Sequence, residues 1–217
     1  LTDDAAIPPL DGATGTSYTL PADLPAGTYT YRVTFTSDYY SKSAEITITV
    51  TPISLEGAEV TVKDLTYNGQ TQSPTVTVKL GETTLTKNTD FDVDATMQTN
   101  ADSYTLTISG NGNYSGKIEN VKWKIEPMPI SLLSVSSISK TYDDSADVTL
   151  TADKLTFFSK TAKATNIKLP DTAITFTNAQ FTKQQADGSY LPSPEVGNGK
   201  SLSFTVTLTS DNYVFES

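Results

Sequence analysis

The tetrapeptide Pro52-Ile53-Ser54-Leu55 recurs further along the chain as Pro129-Ile130-Ser131-Leu132. A second marker repeats independently. It reads Thr34-Phe35-Thr36-Ser37-Asp38-Tyr39-Tyr40, then Thr107-Ile108-Ser109-Gly110-Asn111-Gly112-Asn113-Tyr114, then Thr207-Leu208-Thr209-Ser210-Asp211-Asn212-Tyr213. The step from Tyr40 to Tyr114 nearly equals the step from Pro52 to Pro129, and the step from Tyr114 to Tyr213 is longer. Two markers with nearly one period indicate tandem repeats, each burying its core with its own strands or against its neighbours. The longer last step places an insertion in the third copy.

Each turn marker follows a run with period two. Tyr29, Tyr31, Val33 and Phe35 alternate with Thr30, Arg32 and Thr34. Tyr104, Leu106 and Ile108 alternate with Thr105 and Thr107, and Leu202, Phe204, Val206 and Leu208 with Ser203, Thr205 and Thr207. One face is apolar and the other hydroxylic, the pattern of a half-buried antiparallel strand. A second strand follows the turn, with Ile46, Ile48 and Val50 in the first copy and Val121, Trp123 and Ile125 in the second. Ile118 has the wrong parity relative to Val121, so a bulge is expected near Glu119-Asn120. No stretch has helical periodicity.

Boundaries are therefore expected near residues 51 and 128. Residues 1–51 read as the C-terminal half of a module, 52–128 as a complete one, and 129–217 as a third that lacks its last strand. The middle module should hold about seven strands, around 58–62, 65–68, 75–80, 82–86, 91–96, 103–109 and 117–126. Because the chain opens on Leu1 and is out of phase with the repeat at both ends, it reads as a piece of a longer protein. Tyr29, Tyr31, Val33 and Phe35 need a cover that a lone hairpin cannot give. Residues 1–20 are one source of the missing strands, the middle module or another chain the others.

Short strands without helices point to an all-β fold of tandem Ig-like antiparallel β-sandwich modules. The alternative is a β-grasp module with one crossing helix. Asn100-Ala101-Asp102-Ser103-Tyr104-Thr105-Leu106 has the form of the tyrosine corner of Ig-type domains, and Leu24-Pro25-Ala26-Gly27-Thr28-Tyr29 has the same shape.

Composition narrows the function classes. Fifteen Lys and Arg face 25 Asp and Glu, a net charge of −10. Such a balance opposes nucleic acids and anionic membranes, both of which are gripped through Lys and Arg. The chain has neither Cys nor His. Cys nucleophiles, His general bases and the usual zinc ligand sets are excluded together, and so is disulfide bracing. No apolar run approaches the roughly 18 residues that span a membrane.

Leu65-Thr66-Tyr67-Asn68-Gly69, Thr89-Asp90-Phe91 and Ser109-Gly110-Asn111-Gly112-Asn113-Tyr114 resemble the MBG or bacterial Ig-like repeats of bacterial surface proteins. Ser139-Lys140-Thr141-Tyr142-Asp143-Asp144 and Val196-Gly197-Asn198-Gly199-Lys200, followed by Asp211-Asn212-Tyr213, resemble the YDG repeat. Asp144 departs from that pattern, which has Gly there. The resemblance implies a large multi-repeat protein, secreted or on the bacterial surface, and brings no catalytic residues and no cofactor.

Several residues invite a functional reading. Asp90, Asp92 and Asp94 share one strand face and could contribute to a calcium site, although such a face more often simply keeps an edge soluble. Asp143, Asp144 and Asp147 form a second acidic loop. No acidic pair is placed for glycoside hydrolysis. Trp123 shares a face with Val121 and Ile125 and reads as core. Of Tyr39 and Tyr40, one should be exposed, and Tyr39 is the best single contact candidate. The third-copy insertion 153–195, with Phe157-Phe158 and Ser189-Tyr190-Leu191-Pro192, is the obvious place for a binding patch.

The expected role is a non-enzymatic spacer whose partners are neighbouring repeats of the same protein, monomeric in its full-length context. The alternatives are an adhesin module for host glycan or protein, and an accessory module of an extracellular carbohydrate-active enzyme.

Overall fold

The computed structural model describes residues 19–216. Residues 1–18 lie outside the described residues, and with them most of the segment expected to complete the first copy. The first copy contributes β1 (Gly27–Ser37) and β2 (Tyr40–Val50). The second contributes β3 (Ile53–Ser54), β4 (Glu59–Val62), β5 (Leu65–Thr66), β6 (Val76–Leu80), β7 (Thr83–Thr84), β8 (Phe91–Asp94), β9 (Asp102–Gly110), β10 (Tyr114–Ser115) and β11 (Lys117–Glu126). The third contributes β12 (Met128–Val135), β13 (Leu155–Ser159), β14 (Ala164–Ile167), β15 (Ile174–Gln184), β16 (Tyr190–Pro192), β17 (Ser201–Leu208) and β18 (Tyr213–Phe215). Helical structure among the described residues is confined to two 3₁₀ turns, Ala152–Lys154 and Asp171–Ala173. The fold is all-β, and the crossing helix of a β-grasp module is absent from the described residues. None of their helices is long and apolar enough to cross a membrane.

Compactness divides these residues into two units. The first comprises residues 19–63, 75–96 and 105–122. Here β1 and β2 pair over their whole length, from Gly27 opposite Val50 to Ser37 opposite Tyr40. Tyr29 and Tyr31 are buried, whereas Phe35, further along the same apolar face, and Ile46, directly opposite Tyr31, are exposed. β4, β6 and β7 form an antiparallel sheet, and β8 pairs with the end of β9, Phe91 opposite Gly110. Val78, Leu85, Phe91, Leu106 and Ile108 are buried. A Cβ on Gly110 would lie 2.6 Å from the Ser115 nitrogen, so only glycine lets the chain turn back so closely.

Asn120 has φ 57° inside β11. Ile118 and Val121 are both half-buried despite their opposite parity, the arrangement the expected bulge serves.

The second unit comprises residues 64–74, 97–104 and 123–216. Its largest part is a sandwich. One sheet runs β14-β13-β12-β18 and the other β16-β15-β17. Met128, Ile130, Leu155 and Phe157 from the first sheet meet Ile174 from the second, with Phe176, Phe204, Val206 and Leu208 packed against them. Phe176 and Phe204 lie edge to face, 6.2 Å apart. Two inner faces locking side chains this way is how antiparallel sheets bury a core.

Beside the antiparallel pairs, three pairs run parallel, β3 with β10, β5 with β11 and β12 with β18. Each joins an early strand of a copy to a late one. Strands so far apart in sequence can enter a sheet side by side in one direction, which a hairpin cannot do.

Both tyrosine corners form. Tyr29 Oη donates to the Pro25 carbonyl at 2.7 Å, and Tyr104 Oη to the Asn100 carbonyl at 2.8 Å. The bond ties each strand to the loop that feeds it. Tyr104 also lies 5.0 Å from Trp123, ring centroid to ring centroid. Trp123 is 3% exposed, as the strand parity requires. Trp123→Ala should therefore cost about 3–5 kcal/mol, a large share of the roughly 5–15 kcal/mol of an ordinary domain. Denaturant unfolding measures it, and an indole readily quenched by iodide in the native protein would contradict the assignment.

Candidate functional site

The acidic candidates are committed to local structure. Asp90 turns toward its own loop, where Oδ2 accepts the Thr86 amide at 2.8 Å and its carbonyl accepts the Asn111 amide at 2.9 Å. Asp92 and Asp94 lie exposed on β8. No group of three or more carboxylates among the described residues is placed to hold a metal ion. The structure therefore does not assemble Asp90, Asp92 and Asp94 into a calcium site, because the first of them serves as a turn cap.

In the second acidic loop a side-chain ammonium occupies the centre. Lys140 Nζ donates to the carbonyls of Ser145 (3.0 Å) and Asp147 (2.7 Å) and pairs with Asp143 Oδ1 at 2.6 Å. Those are the three donors a lysine has. The Lys140 ammonium, and after it the Ser145 amide, hold the Asp143 carboxyl below its usual range. Asp144 takes φ 61°, a left-handed conformation that Gly adopts most freely. Asp tolerates that region better than most residues. Its Oδ1 accepts the Tyr142 hydroxyl at 3.1 Å.

The aromatic candidates divide. Tyr39 is 98% exposed, and Tyr40 is exposed as well. Strand parity expected only one of them outside, but both sit where the hairpin turns and its apolar face runs out of cover. The insertion 153–195 sends its largest apolar side chains into the core while much of the rest is exposed. Phe157 is fully buried in β13, with Leu155, Leu169, Ala173 and Ile174 around it, so it offers no binding patch. Of the insertion's large apolar side chains, only Tyr190 and Leu191, on the edge strand β16, remain exposed as the patch reading required.

The second unit also carries an open groove of about 780 Å³ that no local motif announces. Tyr142 and Ser139–Lys140 form one wall, Asn198, Gly199 and Lys200 another, and Leu202 and Phe204 the floor. Lys200 Nζ is held by the carbonyl and hydroxyl of Ser193, at 2.8 and 2.9 Å. Glu195 is the one carboxylate among the lining residues, and it faces Lys183 at 3.5 Å. Glycoside hydrolysis by a carboxyl pair needs two. The signal that could have found this groove is spacing. Tyr142 follows Tyr67 by about the step that separates Tyr40 from Tyr114, and Asn198-Gly199-Lys200-Ser201-Leu202 matches Asn100-Ala101-Asp102-Ser103-Tyr104 at Asn and Ser.

EDTA should leave the melting temperature unchanged, because Lys140 and the Thr86 and Ser145 amides already satisfy the carboxylates best placed for a cation. A drop of several degrees would restore a metal site at Asp90, Asp92 and Asp94. No family model, no curated protein and no solved structure matches the chain.

Proposed function

We propose that the chain is a run of structural spacer repeats from a secreted or surface-borne bacterial protein, holding a distal domain at a fixed distance. The observation that carries this reading is the junction between the second and third copies. β11 ends at Glu126 and β12 begins at Met128, so Pro127 alone lies between them. Main-chain bonds hold both sides. The Glu126 carbonyl accepts the Tyr67 amide at 2.8 Å, and the Met128 amide donates to the Asn212 carbonyl at 2.9 Å. Proline fixes its own φ and restricts the residue before it, so little freedom remains for a hinge. Thr51-Pro52 joins β2 to β3 in a similar way. The bacterial surface location rests on the resemblance to MBG and YDG repeats.

A second reading, a module that binds host glycan or protein, draws on the hairpin end, where Phe35 is 66% exposed beside Tyr39 and Tyr40. It predicts glycan-array or cell binding that Tyr39→Ala abolishes; binding that survives the substitution excludes this contact.

The spacer reading is tested by distance. Spin labels at the exposed positions Gln70 and Asp187, both in the second unit, should give one narrow distance distribution, and a short Gly-Ser insertion after Pro127 should at least double its width. A distribution already broad in the unaltered chain would sink the spacer.

A further inference from the structure

One contact occurs twice, in successive copies. The Ala26 amide donates to Asn113 Oδ1 at 2.7 Å, and the Ala101 amide to Asn212 Oδ1 at 2.7 Å. Ala26 and Ala101 precede a corner tyrosine, Tyr29 or Tyr104, by the same step, and each asparagine stands directly before the turn tyrosine, Tyr114 or Tyr213. The turn of a following copy thus caps the corner loop of the copy before it. At the second joint the contact is wider. Asn212 Nδ2 donates to Asn100 Oδ1 at 3.2 Å, and the Tyr213 ring meets Tyr67 edge-on at 5.3 Å. Burial, and then the neighbouring Tyr67, push the Tyr213 hydroxyl up to about 12. Tyr67 and Asn100–Asp102 form one side of this joint, and Asn212 and Tyr213 the other.

The third copy carries the same receiving side. Tyr142 replaces Tyr67 after a threonine in the same motif, and Asn198-Gly199-Lys200 replaces Asn100-Ala101-Asp102 at the entry to β17. Both segments line the open groove. Tyr67 is half-buried under Tyr213, whereas Tyr142 is 59% exposed. We propose that the groove beside Tyr142 is a socket for the Asn-Tyr turn of a further repeat of the same kind.

The recognition chemistry is that of the filled joint. A carboxamide oxygen accepts the Gly199 amide, the amide nitrogen reaches Asn198, and the tyrosine ring lies edge-on to Tyr142. Gly199 has φ 69°, and a Cβ there would meet nothing within 4 Å, so its backbone is open to an incoming group. The corresponding turn of the first copy carries Tyr39 in place of the asparagine. The chain therefore lacks a free Asn-Tyr turn there, and the socket selects another repeat rather than the Tyr39 end of a second copy. This inference rests on the reading of the chain as stacked spacer repeats.

The probe is a disulfide-closed hairpin peptide with the sequence of Thr207 to Phe215, titrated into the full chain and followed by NMR. Saturable shifts should arise at the Gly199 amide and the Tyr142 ring, weakened at least tenfold when alanine replaces the peptide's asparagine. In the Asn212→Ala chain the vacated Ala101 amide should exchange at least tenfold faster, and the same peptide should restore its protection. Perturbation at both sockets supports the proposal. Perturbation at Ala101 alone, or at neither, overturns it. Neither result moves the Gln70–Asp187 distance distribution, so the socket and the spacer fail separately.

Discussion

Two main-chain hydrogen bonds flanking Pro127 set the conditions for the rest of the third copy. Tyr67 bonds to Glu126 and Met128 to Asn212. The last strand of one copy is thereby pinned to an early strand of the same copy, and the first strand of the next is pinned to that copy's last turn. Once β12 is fixed by β18, the Met128 and Ile130 side chains face Leu155, Phe157 and Ile174, and the sandwich core follows. Proline suits this place because it has no N–H to leave unpaired between two ladders.

A chain without cysteine must stabilise small modules by sheet and core alone, and each device here fastens distant segments. The tyrosine corners join a strand to the loop ahead of it. The parallel pairs join early strands to late ones. Lys140 gathers a loop of carboxylates and carbonyls that repel each other otherwise. Each of these devices is built from groups of the protein itself.

Alternation made the exposed-face strands readable from the residues alone. All seven strands expected in the second copy are present, and the parity conflict between Ile118 and Val121 located the distortion at Asn120. The corner tyrosines were readable because their loop is local. β13 was not. It is covered on both faces, so Leu155, Thr156, Phe157 and Ser159 are all buried and no alternation survives. The two-residue strands β3 and β10 are too short for any period and exist through their partner. The groove beside Tyr142 joins segments from opposite ends of the third copy, so nothing in either segment announces it. For the acidic triplet, sequence shows the shared parity but not the Thr86 amide that claims Asp90.

The parallel pairing of β12 with β18 has a mechanical consequence. Met128, Pro129 and Ile130 lie beside Tyr213, Val214 and Phe215, with both strands running the same way. Tension that enters through Pro127 and leaves beyond Phe215 pulls these strands past each other along their length. Their hydrogen bonds are then strained together in shear, whereas an antiparallel hairpin pulled from its open end parts one bond at a time. A repeat wired in this manner yields late and abruptly under load.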